Sequence, residues 1–160
     1  MALLAVVMLA AGGNPIASAA ALPATTARTA IASRVRTTYP GLTFGNVACP
    51  PGAPKRAGAR FTCTVQLPGA FLVVEVTAHD ARGHVSLRTP QAVIAKPALE
   101  EFVAANASLP GTVDCGSAPW HVLRPGQKVS CRATLANGAG RQVELTASDA
   151  DGNVTITAVS

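Results

Sequence analysis

From Phe61 to Leu67 the chain alternates strictly, with Phe61, Cys63, Val65 and Leu67 apolar and Thr62, Thr64 and Gln66 polar between them. A period of two predicts a strand with one face buried. Pro68-Gly69 marks a turn, after which Leu72, Val74, Val76 and Ala78 repeat the alternation. A second turn around Arg82-Gly83 leads to Val85 and Leu87. The same run recurs further on: Val129, Cys131, Ala133 and Leu135, then Asn137-Gly138, a strong hairpin signal, then Val143, Leu145 and Ala147. Asp151-Gly152 turns again, and Val154, Ile156 and Ala158 are expected to point inward. Shorter strands are expected at 42–48 and 112–114. Before each set the spacing changes to that of a helix. Thr25 or Thr26 can cap the first, Ile31 and Val35 fall four apart on one face, and Tyr39-Pro40-Gly41 stops it. In the second, Pro97 suits the first turn, Glu100 and Glu101 favour the positive end of the dipole, Leu99, Phe102 and Val103 form a stripe, and Leu109-Pro110-Gly111 ends it.

The two sets are nearly the same text. Val76 to Leu87 reads VTAHDARGHVSL and Leu145 to Ile156 reads LTASDADGNVTI. Glu75, Asp80, Gly83 and Val85 meet Glu144, Asp149, Gly152 and Val154 at an offset of 69, Cys63 meets Cys131 at 68, and Cys49 meets Cys115 at 66. The expected fold is therefore α+β: two tandem repeats, at 24–90 and 91–160, each a helix packed on a four-stranded antiparallel sheet.

Composition adds a compartment. Apolar residues make up 49% of the 160, but aromatics only 4% and charged residues 13%, so the cores must be built from Val, Ala, Leu and Ile. Small cores of this kind often need covalent help. The N-terminus MALLAVVMLAAGG is apolar, and Ala17-Ser18-Ala19 fits a signal-peptidase site, giving a signal peptide over 1–19 with cleavage after Ala21 as the near alternative. The run is short for a membrane span, so no transmembrane segment is expected in the mature chain. No Lys or Arg precedes it; either the start lies upstream or the α-amino group serves. Leu9-Ala10-Ala11 is followed by Gly12 where a lipoprotein carries its lipid-bearing Cys, and the first cysteine is Cys49, so a thioether lipid anchor has no attachment point.

Export favours disulfides for four cysteines. Spacing allows three connectivities, but a unit that once stood alone needs its own closed pair, which selects Cys49–Cys63 and Cys115–Cys131. Each bridge would close a loop of roughly 15 residues and contribute about 3 kcal/mol. The thirteen residues between Cys49 and Cys63 lack the tight spacing of a zinc knuckle, and no metal or cofactor is expected.

Val47-Ala48-Cys49-Pro50, then Gly58 to Thr64 as Gly-x-x-Phe-x-Cys-Thr, an alternating strand and Asp-x-x-Gly before a last strand resemble a family of small actinobacterial exported domains of unknown function, many of them lipoproteins. The resemblance covers 30–88 and implies a fold but lends no catalytic residue. In the second copy Cys115 is followed by Gly116, and Val129 stands where the first has Phe61. The tandem architecture with one bridge per unit is also similar to the streptomycete β-lactamase inhibitor protein, whose sheets form an aromatic-rich concave clasp. Here only one Trp, one Tyr and four Phe are present.

Charge and chemistry narrow the function classes. Residues 24–90 hold eight Lys/Arg against two Asp/Glu, a balance of +6, while 91–160 hold five against six, a balance of −1. Lys55, Arg56 and Arg60 cluster in the first cysteine loop. For an exported protein this favours an anionic envelope polymer or lipid headgroup as partner, not nucleic acid. His79 and His84 flank a turn with Asp80, an arrangement open to acid–base work, but Ser148 and Asn153 fill those places in the second copy. Asp149-Ala150-Asp151-Gly152-Asn153 begins like a calcium loop, yet its twelfth position is Ser160 rather than Glu. Trp120-His121, in the loop of the second bridge, is either an exposed contact or a plug under the small core. The expected function is a non-enzymatic envelope or extracellular binding protein. The alternative is a secreted inhibitor of an extracellular enzyme such as a β-lactamase or protease. A hydrolase would need a triad, metal set or paired carboxylates that the sequence lacks.

Overall fold

The computed structural model describes residues 24–160 apart from 53–55, 81 and 109. The expected signal peptide and its cleavage site, the Gly12 position and Lys55 lie outside the described residues. The chain begins with helix α1 (Ala24–Thr38), then strands β1 (Val47–Ala48), β2 (Arg60–Leu67), β3 (Ala70–Ala78), β4 (Val85–Arg88) and β5 (Ala92–Ala95). Helix α2 (Lys96–Asn106) follows, with β6 (Gly111–Asp114), β7 (Trp120–Leu123), β8 (Lys128–Leu135), β9 (Gly140–Ala147) and β10 (Val154–Val159). The strands form three antiparallel sheets, in the orders β1-β2-β3-β4, β10-β9-β8-β6 and β5-β7.

Alternation places the cores. On β2 and β3, Cys63, Val65, Leu67, Leu72, Val74, Val76 and Ala78 are buried while Thr62, Gln66, Phe71 and Glu75 face out. Helix α1 joins this first core through Ala27, Ile31 and Val35, spaced by four as an amphipathic helix requires. The second core takes Cys131, Ala133, Val143, Leu145 and Ala147 from β8 and β9, and Leu99 and Val103 from α2. Helix α2 opens at Lys96 with Pro97 in its first turn, so that turn contains no acid. Glu100 and Glu101 therefore fall a turn later than the sequence pattern suggests, and their role is not to offset the dipole.

The turns that frame the sheets are built alike. Asp80 Oδ1 accepts the N–H groups of Arg82 and His84 at 2.8 and 3.2 Å, and Asp149 Oδ1 accepts those of Asp151 and Asn153 at 2.9 and 3.1 Å. Asn137 and Gly138 turn β8 into β9, with Gly138 at φ 81° and Asn137 Oδ1 accepting the N–H of Ala139 at 3.0 Å. Gly111, where β6 enters beside β8, is fixed sterically: a Cβ there would stand 1.9 Å from the Thr134 carbonyl oxygen.

Two features depart from the alternation pattern. On β10 the register shifts between Ile156 and Ala158, so Ala158 lies opposite Glu144 rather than on the core side, and it is exposed. The second is the β5-β7 ribbon. Ala92, Val93 and Ile94 are all buried, because the two faces of this strand serve different cores. Val93 belongs to the first core, whereas Ala92 and Ile94 belong to the second. Just ahead of it the buried Gln91 accepts the N–H of Val73 at 2.7 Å, satisfying β3 beyond the end of β4.

Candidate functional site

The four cysteines form two bridges, Cys49–Cys63 with Cα atoms 4.3 Å apart and Cys115–Cys131 at 4.0 Å. Each ties the residue after a short edge strand, β1 or β6, to the middle of the adjacent long strand.

Strand β7 carries Trp120 and His121. It pairs with β5 so that Ala95 faces Trp120, Ile94 faces His121, Val93 faces Val122 and Ala92 faces Leu123. Directly opposed residues share a face. Trp120 and Val122 accordingly pack with Val93 on the first core, and Leu123 with Ala92 and Ile94 on the second. The Trp120 ring meets Tyr39 edge-on, centroids 6.4 Å apart at 73°. Trp120 is thus a half-buried plug, but for the core of the opposite half of the chain.

His121 is the titratable group most enclosed by this arrangement. Its Nε2 is buried without a hydrogen-bond partner among the described residues. Burial lowers its pKa below the ordinary histidine value, the Lys96 cation acts in the same direction, and a hydrogen bond to the Cys115 backbone and the Glu100 carboxylate oppose them. Lys96 lies 2.5 Å from Asp114 Oδ1 and 3.4 Å from Glu100 Oε1. The Asp114 hydrogen bond is the chief reason that the Lys96 pKa is raised, and Lys96 in turn holds the Asp114 carboxyl below its usual range. Glu100 Oε1 accepts the Cys115 N–H at 3.1 Å. The second bridge is therefore braced at its backbone by groups from α2 and β7.

The basic residues of the first half occupy its surface. Arg28, Arg34, Arg36, Arg56, Arg60, Arg82 and Arg88 are all exposed. Among the described residues one of them is ion-paired, Arg88 to Glu75 at 3.7 Å, an exposed contact that neutralises little. On the outer face of the first sheet, Arg60, Thr77 and Ser86 form one cross-strand rung and Thr62, Glu75 and Arg88 the next. They line a shallow concavity of about 450 Å³. Arg56 lies outside that row, in the cysteine loop. In the second half Lys96 is held by two carboxylates and Lys128 bonds Glu144 at 2.8 Å, while the exposed Arg124, Arg132 and Arg141 form no ion pair among the described residues, against a balance of −1 overall.

A family model described as a domain of unknown function, DUF4333, matches residues 4–83. The chain belongs to the DUF4333 family. No curated protein and no solved structure matches it significantly. The DUF4333 match takes in Cys49, Cys63, Arg56 and Arg60 and ends at Gly83, in the turn before β4. Trp120, His121, Cys115 and Cys131 lie beyond it.

Around that DUF4333 region the remaining candidates resolve into turn chemistry. His84 Nδ1 lies 2.5 Å from Asp80 Oδ2, and Asn153 donates to Asp149 Oδ2 at the same distance. The His–Asp pair holds a hairpin, and an amide does the same work in the other turn. The His84 hydrogen bond is the main reason that the Asp80 pKa falls to about 2. Among the described residues no group of three or more His, Cys, Asp or Glu could hold a metal ion, and no helix is long and apolar enough to cross a membrane. An inhibitor clasp would need aromatics turned outward; Tyr39, Phe44 and Trp120 pack against the first core instead, and Phe71 is 63% exposed.

Proposed function

We propose that this DUF4333 protein is an exported, non-enzymatic binding protein of the cell envelope or extracellular space. Its partner is an anionic envelope polymer or lipid headgroup, held by the first half of the chain. One observation carries the reading: a half with a balance of +6 presents seven exposed arginines with a single loose ion pair among the described residues. Such an unneutralised surface attracts polyanions over a Debye length. The two disulfides are consistent with an oxidising compartment, and the apolar N-terminus supports a signal peptide over 1–19. Residues 24–90 and 91–160 are read as copies of one ancestral unit. Supporting this, Gly58 N–H to Ala78 C=O at 2.8 Å is matched by Gly126 N–H to Ala147 C=O at 2.7 Å, and both turn aspartates make the same bonds.

The test is co-sedimentation of the mature protein with polymer-rich wall fractions and with anionic vesicles, alongside a panel of secreted hydrolases. Binding should weaken by at least about tenfold between roughly 50 and 200 mM salt, and the Arg60→Gln/Arg88→Gln variant should bind about tenfold less. Salt-insensitive binding, or saturable inhibition of one hydrolase, overturns the reading. Inhibition would restore the clasp alternative, for which Phe71 is the outward aromatic.

A further inference from the structure

Two adjoining cavities, of about 440 and about 670 Å³, open between the halves. They share Arg34, Leu87, Thr89, Ala150 and Asp151, and so form one trough between α1 and β4 on one side and the β9–β10 turn on the other. Each volume lies in the range of small-ligand sites, and the boundary between two packed units is a favoured place for one. The floor is aliphatic: Leu87 and Val93, backed by the buried Ile31, Val35 and Val74.

The walls carry opposite charge. Arg34 stands on α1 and lines both cavities. Asp151 also lines both, while the neighbouring Asp149 spends both carboxylate oxygens on its own turn. Neither Arg34 nor Asp151 forms an ion pair among the described residues. A cation and an anion thus flank the trough without closing on each other.

From this juxtaposition we infer that the trough is a binding site for a short zwitterionic peptide with aliphatic side chains. Its carboxylate meets the Arg34 guanidinium, its ammonium meets Asp151, and a side chain covers Leu87 and Val93. A simple anion satisfies only one wall, and an uncharged apolar chain satisfies neither. The site is distinct from the Arg60 face proposed for polyanions and does not depend on that proposal.

Leucyl-leucine titrated into the ¹⁵N-labelled mature protein tests it by nuclear magnetic resonance. Saturable shifts are expected at 34–39, 87–93 and 150–152, and N-acetyl-leucyl-leucine amide should bind about tenfold more weakly. Arg34→Gln should remove the advantage of a free carboxylate and Asp151→Asn that of a free amine. Both positions are exposed, so the variants keep the native spectrum. Non-saturating shifts, shifts centred elsewhere, equal binding of the capped dipeptide, or unchanged binding by natively folded variants would overturn the assignment. Arg56→Gln/Arg60→Gln protein, altered at two exposed residues outside the trough, that loses polymer binding yet keeps leucyl-leucine would separate the two sites.

Discussion

A single imidazole sits where the second bridge, helix α2 and the inter-core ribbon meet. Burial disfavours the protonated form of His121, whose Nε2 has no partner among the described residues, and the Lys96 cation acts in the same direction. The folded pKa of His121 is depressed, so the unfolded chain binds the extra proton more readily. Stability is therefore complete above the unfolded value of about 6.5 and declines as pH falls toward the folded one. Denaturant midpoints measured at pH 7 and pH 5 should drop, and His121→Gln, which keeps a donor for the Cys115 carbonyl but does not titrate, should flatten that difference. Asp114, held below its usual range by Lys96, remains ionised across this window and does not mask it. The turn aspartates behave in the opposite range. Asp80, with its pKa near 2, adds stability that is present above 3.8 and is lost only in stronger acid, and Asp149 is lowered by the equivalent Asn153 bond.

Among the elements, the bridges act through the loops they close. The sequence separations are 14 and 16 residues, so replacing either cysteine pair by alanine should cost about 3 kcal/mol, read from urea unfolding under non-reducing conditions. Leu145→Ala, at a fully buried site in β9, should cost about 2–5 kcal/mol by leaving a cavity. The long strands were legible because each has one wet and one dry face. Strand β5 was not: with a core on either side, Ala92 to Ile94 shows no alternation and carries no strand signal. Strand β7 looks like an irregular cysteine loop, since its partner lies far back in the chain. Trp120 and His121 could be picked out as the unusual residues of that loop, but which core each faces depends on register with β5. Ala158 leaves the core face that the alternation predicts because a bulge resets the period, and no residue near Thr157 announces it. The basic surface could be read from composition, whereas the trough joins Arg34, Leu87 and Asp151, which nothing in the sequence brings together.

On the scale of the molecule, the halves are interlocked rather than merely tethered. Trp120 and Val122 come from beyond the midpoint of the chain yet cover the first core beside Val93 and Tyr39. Trp120→Ala should cost up to about 3 kcal/mol, and amide hydrogen exchange should quicken in α1 as well as in β7. The family boundary at Gly83 is consequently not a seam along which the molecule divides. A polypeptide ending at Pro90 would retain its own sulfur bridge and sheet, yet would lose Val93, Trp120 and Val122 from its core. Such a fragment should self-associate, its sedimentation coefficient climbing with concentration relative to the intact chain. One unit of this kind on its own therefore exposes the apolar face that β5 and β7 close here.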